Sequence, residues 1–260
     1  MRIVIFAQKP IGEKCFDFLV GSETKNIELV GACSNKDALN TWWETANISN
    51  YCSKNSIPFL ASEEAGEINT QDFISQCRAD VLISIQHPKL ISKKTIDLVK
   101  GQAFNIHLAP LPEYKGYYGI NHAILNEEKI YKSTIHWMNE KADDGDIAYE
   151  STIPISKNET ALSLYRKAEI AGFKIFLSLI NNLNDRITPP SNPQNESGYF
   201  YSNKSLSKLK SINLPIDIKE AEIKTRAFHF PPFEPAYILI NGIKIGLVYI
   251  DKFTENNQRE

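Results

Sequence analysis

Residues 104–119 read FNIHLAPLPEYKGYYG, an apolar run that breaks into prolines and glycines yet carries an amide and an imidazole. Successive side chains of an extended chain point to opposite faces. Asn105 and His107 therefore share one face, and Phe104, Ile106 and Leu108 take the other. The stretch is expected to be the end of a buried strand that projects Asn105 and His107 into a cleft, with the prolines holding the loop beyond them open. A plainer reading is a hydrogen-bonded Asn and a satisfied core His at a strand end, since His is intermediate in burial.

Working outward, the segments on the N-terminal side alternate between two patterns. RIVIFA (2–7), IELVGACS (27–34), PFLAS (58–62), DVLISIQ (80–86) and QAFNIHLAP (102–110) are β-rich runs of the continuous apolarity expected of strands buried on both faces. Between them, 8–20, 41–55 (TWWETANISNYCSKN), 70–79 and 92–100 are expected to be helical. Strands alternating with short helices predict an α/β fold with a doubly wound, Rossmann-like, mostly parallel sheet. On the C-terminal side, 132–140 and 147–155 are expected to extend that sheet as a hairpin-like pair, and 159–183 to form one long helix starting near Glu159 or Thr160. The polar, Pro- and Asn-rich stretch 184–198 is expected to be a linker. In 199–260 the dipeptide Asn241-Gly242 between apolar runs predicts a hairpin, giving a small β-rich C-terminal part.

The chain has 260 residues, 42% hydrophobic and 23% charged, with a net charge of −2, so one large domain with an appendix fits and no basic surface for nucleic acid or an anionic membrane is indicated. Cys15, Cys33, Cys52 and Cys77 lie far apart without metal-ligand spacing. No metal site or disulfide framework is expected, and a reducing, cytoplasmic setting is the default. The N-terminal apolar run is much shorter than a membrane span.

KADDGDIAYE (141–150) crowds Asp143, Asp144 and Asp146 around Gly145. Read alone this is good turn chemistry, and it lacks the spacing of a calcium loop. A carboxylate near His107 would instead orient its imidazole.

Taken together, N-x-H at 105–107, L-P-x-Y-K-G at 111–116 and, about 27 residues further on, T-x-H and D-x-G-D-I resemble the folate-dependent formyltransferases, the group that includes methionyl-tRNA, glycinamide ribonucleotide and sugar N-formyltransferases. The resemblance covers roughly residues 1–183. It implies a catalytic group of Asn105, His107 and Asp143, the aspartate standing two residues before the glycine. It also implies 10-formyltetrahydrofolate as co-substrate, Asn105 as a donor to the oxyanion, His107 as the group that takes the amine proton or shares in oxyanion stabilisation, and Asp143 as its orienting partner. HLAPLPEYKG departs from the family pattern at Ala109-Pro110 and at Lys115, which stands in an Arg position.

The short C-terminal part, with RAFHFPPFEPAY at 226–237, is similar to the sugar-nucleotide enzymes rather than to the tRNA enzymes with their larger, more basic barrel. The resemblance thus implies a nucleotide-linked amino sugar as acceptor, such as dTDP-4-amino-4,6-dideoxyglucose on the way to surface polysaccharide (O-antigen). A UDP-linked amino pentose and a non-catalytic folate- or nucleotide-binding regulator are the alternatives. The folate is expected against Ile85, Gln86, His87 and Leu90. The acceptor is expected near Gln8 and Lys9 in the first βα turn, Lys89, Tyr117 and Tyr118, with its base stacked on Phe228 or Phe230. Finally, YILINGIKIGLVYI (237–250) is too apolar on both sides to stay solvated, which predicts a homodimer through residues near 234–252.

Overall fold

The computed structural model describes residues 1–250 apart from Glu23, 37–40, Ala46 and 195–197. Five strands, β1 (Arg2–Ala7), β2 (Glu28–Ser34), β3 (Phe59–Ala61), β4 (Val81–Ile85) and β5 (Ala103–His107), alternate with the helices α1 (Lys9–Gly21), α2 (Ile48–Lys54), α3 (Glu67–Cys77) and α4 (Lys93–Leu98). They pair in parallel. The chain continues through β6 (Lys115–Gly116), α5 (Gly119–Leu125), β7 (Ile130–Trp137), β8 (Ile147–Pro154) and α6 (Ala161–Asn184). The strands β7 and β8 add antiparallel to β5, completing a seven-stranded sheet of order β3-β2-β1-β4-β5-β7-β8. The expected doubly wound, mostly parallel architecture is present.

Residues on either side of β1 show why the runs lack polar alternation. Ile3, Ile5 and Ala7 pack in the cluster with residues of α1, α2 and α6, whereas Val4 and Phe6 pack with residues of α3 and α4 on the opposite face. A strand covered on both sides must be apolar at every position. A Cβ on Gly12 would stand 2.9 Å from the Ala7 carbonyl carbon, so α1 can lie this close to the end of β1 only with glycine there. The long helix α6 starts where expected: Thr160 caps it, its hydroxyl accepting from the Ser163 N–H while Ser163 reaches back to the Thr160 N–H.

Two expectations are corrected. Of the described residues in 41–55, only Ile48–Lys54 is helical, entered through Asn47 at φ 53 with its side chain accepting from the Asn50 N–H. Trp42 and Trp43 serve different partners instead. Trp42 meets Tyr165 and Phe230 edge-on at 5.4 and 4.9 Å, and Trp43 Nε1–H donates to Glu13 Oε1 at 3.1 Å. Tertiary packing thus overrides local helix preference.

The C-terminal part also contains more than hairpin. After β9 (Phe200–Tyr201) and β10 (Ser211–Ile212) comes the helix α7 (Ile218–Ala227), then β11 (Tyr237–Ile240) and β12 (Ile243–Gly246). The last two form the expected hairpin around Asn241 and Gly242, at φ 48 and 83, and β10 joins them as a small sheet. Signals for α7 were present in the sequence: Asp217 caps its first turn, and Glu220–Lys224 and Glu222–Arg226 pair at i,i+4.

Among the described residues, 185–198 carries no helix or strand beyond a single antiparallel bridge between Asn192 and Ile147, but 190–194 hydrogen-bonds back to β7, β8 and the turn between them. No helix of the described residues is long and apolar enough to cross a membrane.

Candidate active site

The site grows from the end of β5. Asn105 pairs in register with Ser84 of β4 and His136 of β7, and His107 with Thr134. The two side chains emerge on the expected common face. The turn between β7 and β8 then brings in Asp143, whose Oδ1 lies 3.7 Å from His107 Nδ1, 3.3 Å from Asn105 Nδ2 and 3.4 Å from His136 Nε2. Its Oδ2 accepts from the Gly116 N–H at 2.9 Å. The three residues named from the sequence therefore meet, with Gly116 and His136 joining them.

Burial pushes the Asp143 carboxyl up, but His107, His136 and the Gly116 N–H outweigh it and hold the group well below the usual carboxylate range. Asp143 is a carboxylate at any working pH. Asp144 is different: it lies outside the cluster and pairs with Lys115, which holds its carboxyl below the usual range.

The hydrogen bonds constrain roles. His136 Nδ1 lies 2.7 Å from the Trp137 carbonyl oxygen and so carries the proton, leaving Nε2 to accept from Asn105 Nδ2 at 3.0 Å. Both amide hydrogens of Asn105 are engaged, one by His136 and one by Asp143. For Asn105 to donate to an oxyanion, the longer bond to Asp143 is the one that must give way. His107 Nε2 lies 2.9 Å from the Tyr114 carbonyl oxygen, so it also carries a proton and turns Nδ1 toward Asp143.

Beside this cluster lies a cavity of about 520 Å³. Its lining includes Lys9, Gln86 and His107 together with Trp42, Tyr165, Phe228, Phe230 and Phe233, and Tyr118 and Lys210 also stand on its wall. The position follows from the strand order. The chain leaves β1 toward β2 and β3 on one side and leaves β4 toward β5 on the other, so the crevice beyond the ends of β1 and β4 is the switch point where doubly wound sheets bind ligands. Lys9 and Gln86 stand there in the left-handed backbone region, at φ 60 and 55, and Lys9 Nζ donates to Gln86 Oε1 at 3.1 Å. Non-glycine residues held there cost on the order of 1–3 kcal/mol and tend to mark functional positions. Burial lowers the Lys9 ammonium, while the carboxylate of Glu169 opposes that shift. Burial in turn pushes the Glu169 carboxyl up to about 7.

Of the expected binding residues, Lys9, Gln86, Tyr118, Phe228 and Phe230 line this cavity. Tyr117 stands exposed beside it. Gln8 turns away, donating to Asn35 Oδ1 and Ser62 Oγ. The Ile85 side chain is in the core, and only its backbone carbonyl is turned outward, to the Gln8 N–H. His87 packs edge-on against Phe6 with its pKa lowered to about 4 by burial and Lys89. Lys89 donates to the Glu63 carbonyl, and Leu90 is exposed. Trp42, Tyr165 and Lys210 were not foreseen. Their sequence neighbourhoods are ordinary helix and loop, and only packing brings them to the cavity. Among the described residues no cluster of His, Cys, Asp and Glu could hold a metal ion.

Comparison with known proteins agrees with this fold. The formyl transferase family model matches residues 1–180. The chain is 27% identical over 246 residues to the methionyl-tRNA formyltransferase of Pseudoalteromonas translucida, covering 93% of this chain and 74% of that protein. It is 25% identical over 202 residues to the bifunctional polymyxin resistance protein of Wigglesworthia glossinidia brevipalpis, covering 77% of this chain but only 31% of that protein's length. Among solved structures, a 4-N formyltransferase from Francisella tularensis superposes with a TM-score of 0.78 at 19% identity, covering 96% of this chain and 98% of that one. An N-formyltransferase from Helicobacter canadensis, in complex with folinic acid and dTDP-3-aminofucose, superposes with a TM-score of 0.72 at 23% identity, covering 94% and 85%. The match over 1–180 contains β1 through most of α6 and every member of the Asn105–His107–Asp143 cluster, and the chain belongs to the formyl transferase family.

Proposed function

We propose that this protein transfers the formyl group of 10-formyltetrahydrofolate to the amine of a nucleotide-linked amino sugar. The observation that carries the reading is the cavity, whose lining joins His107 to a group of aromatic rings that includes Phe228, Phe230 and Phe233 of the C-terminal part. It offers aromatic surface for a flat base together with a residue of the reacting cluster. Trp42, Phe230 and Phe233 meet at centroid distances of 4.9–6.5 Å, and Lys210, paired with Glu234 at 3.2 Å, also lines the cavity. A dTDP-linked 4-amino-4,6-dideoxyglucose fits this layout, with surface polysaccharide such as O-antigen as its destination. The structural neighbour bound to dTDP-3-aminofucose supports a dTDP-linked amino sugar as acceptor. A tRNA acceptor requires a phosphate-tracking basic surface, which a chain of net charge −2 does not suggest.

In the reaction the amine nitrogen bonds to the formyl carbon, the carbon–N10 bond of the folate breaks, and the amine proton travels to N10. His107 takes that proton, and the imidazolium is stabilised by Asp143 on one side and the Tyr114 carbonyl on the other. Asn105 holds Asp143 and His136 in place and donates to the oxyanion as its 3.3 Å bond to Asp143 yields. The folate lies along the end of β4, where Gln86 is in reach of the cavity.

The exposed Leu239, Ile240, Ile243, Ile245, Val248 and Ile250 crowd β11, β12 and the residues after them, and β12 is an open sheet edge. A second copy of the chain covering that face gives a homodimer. The four cysteines are free, buried thiols, in keeping with a cytoplasmic enzyme. Incubation with 10-formyltetrahydrofolate and a panel of dTDP- and UDP-amino sugars, with methionyl-tRNA alongside, tests the reading. Formylation of a nucleotide amino sugar is expected, and formylation of methionyl-tRNA alone overturns it.

A further inference from the structure

The segment after α6 grips the turn that carries Asp143. Trp137 Nε1–H donates to the Pro190 carbonyl at 2.8 Å, Ile147 and Asn192 exchange backbone hydrogen bonds of 2.8 and 3.0 Å, and the Ser191 hydroxyl donates to Asp146 Oδ2 at 2.6 Å. Gln194 completes the set, its Nε2 donating to the carbonyl oxygens of Asp143 at 3.0 Å and of Gly145 at 2.7 Å. One side-chain amide thus brackets the residue whose carboxylate faces His107. Its Oε1 is buried with no hydrogen-bond partner among the described residues, and the two carbonyls require the Nε2 hydrogens to point at them.

That turn needs holding. Asp143 sits at φ 53, in the left-handed region, and a Cβ on Gly145 would come within 1.8 Å of the Trp137 carbonyl oxygen. A non-glycine residue in this conformation persists only where its surroundings over-determine it. Here the Gly116 N–H and the Asn105 amide hold the carboxylate, and Gln194 holds the backbone. Gly116 is itself held through the same C-terminal stretch, because the Lys115 and Tyr117 N–H groups donate to the Tyr199 and Tyr201 carbonyls.

We propose that Gln194 is a positioning residue for formyl transfer, acting through the backbone of Asp143 and touching neither reactant. The proposal rests on the catalytic reading of Asp143. Gln194→Glu keeps the shape but replaces the donor with an anion facing two carbonyl oxygens, so the turn relaxes and the carboxylate moves off His107. A misplacement of about 1 Å costs on the order of 10²-fold.

The test uses the full chain with 10-formyltetrahydrofolate and dTDP-4-amino-4,6-dideoxyglucose, in a cycle of Gln194→Glu, Asp143→Asn and the double variant, with Gln194→Ala as the uncharged second form. Expected for Gln194→Glu and Gln194→Ala are a kcat lower by about tenfold or more, KM for both substrates within twofold and an unchanged circular dichroism spectrum. In the Asp143→Asn background the same change should move kcat by less than twofold, because a residue that works through Asp143 has nothing left to position. Independently of any substrate, amide exchange of the Gly116 N–H should quicken by about tenfold in Gln194→Glu as its acceptor loosens. Wild-type kcat together with unchanged Gly116 exchange overturns the inference while leaving Asp143 catalytic. An equal loss in both backgrounds reduces Gln194 to a structural brace and also overturns it. An active Asp143→Asn enzyme instead removes the reading of the site on which the inference rests.

Discussion

Replacing Asp143 by Asn removes one charge from the cluster with little change in shape, and the structure sets the size of the effect. His107 Nδ1 and Asp143 Oδ1 are 3.7 Å apart, and the two side chains are only 12% and 13% exposed. For full charges at that distance and an effective dielectric constant of about 20, the attraction is about 4 kcal/mol. If the imidazole carries between half and all of a proton in the transition state, the loss is about 2–4 kcal/mol, or roughly 30- to 1000-fold in kcat. Because the folded Asp143 pKa is depressed below its ordinary 3.8, the charge is present above that value and is lost only as pH falls through the lower, folded one. Asp143 itself therefore stays charged throughout pH 6 to 9, and its contribution is not lost by titration of its own carboxyl in that range. The assay is steady-state formylation of the amino sugar with 10-formyltetrahydrofolate, on protein whose melting temperature matches wild type. Asp144→Asn is the control: its pair with Lys115 is one-third exposed on the carboxylate side, such pairs contribute about 0–1 kcal/mol, and the loss should stay below fivefold. A folded Asp143→Asn enzyme within threefold of wild type, or an Asp144→Asn enzyme damaged more than it, refutes the placement of the carboxylate.

Three further outcomes are expected. Phe230→Ala should raise KM for the nucleotide sugar roughly tenfold, in line with base–aromatic stacking of about 1–3 kcal/mol, and change kcat less than threefold. An effect on kcat alone would move the base elsewhere. Wild-type protein should scatter light as a dimer at micromolar concentration, and Ile243→Lys with Ile245→Lys, both on the exposed edge strand β12, should give a monomer. A monomeric wild type rejects that interface. Glu169, faced by Lys9, Lys14, Arg166 and Tyr165, has a folded pKa raised from 4.5 to about 7. The stability tied to its proton is complete below about 4.5 and lost as pH rises to about 7, so Glu169→Gln should gain on wild type by on the order of 1 kcal/mol between pH 5 and 8, discounted for partial exposure. Parallel melting curves of the two proteins across that range would show that the carboxyl is not buried as described.

The parts legible in the sequence were those whose physics is local. Continuous apolarity of RIVIFA and DVLISIQ announces strands covered on both faces, and Asn241-Gly242 tolerates the two left-handed residues of a tight hairpin. The two-residue period of a strand puts Asn105 and His107 on one face whatever surrounds them. Resemblance added Asp143, which spacing alone could not separate from a solvated turn. Tertiary structure decided the rest, because it depends on segments far apart in sequence. Trp42 leaves its expected helix to reach Tyr165 and Phe230, more than 120 residues away. His136 joins the cluster because β7 happens to pair with β5 in antiparallel register. Gln194, in a stretch whose polarity reads as a spacer, finds its two carbonyls only once α6 has carried the chain back to the β7–β8 turn. Composition reports which groups prefer water, but the carbonyls left unpaired by a tight turn exist only after folding, and it is they that recruit a polar residue from a segment with no pattern of its own.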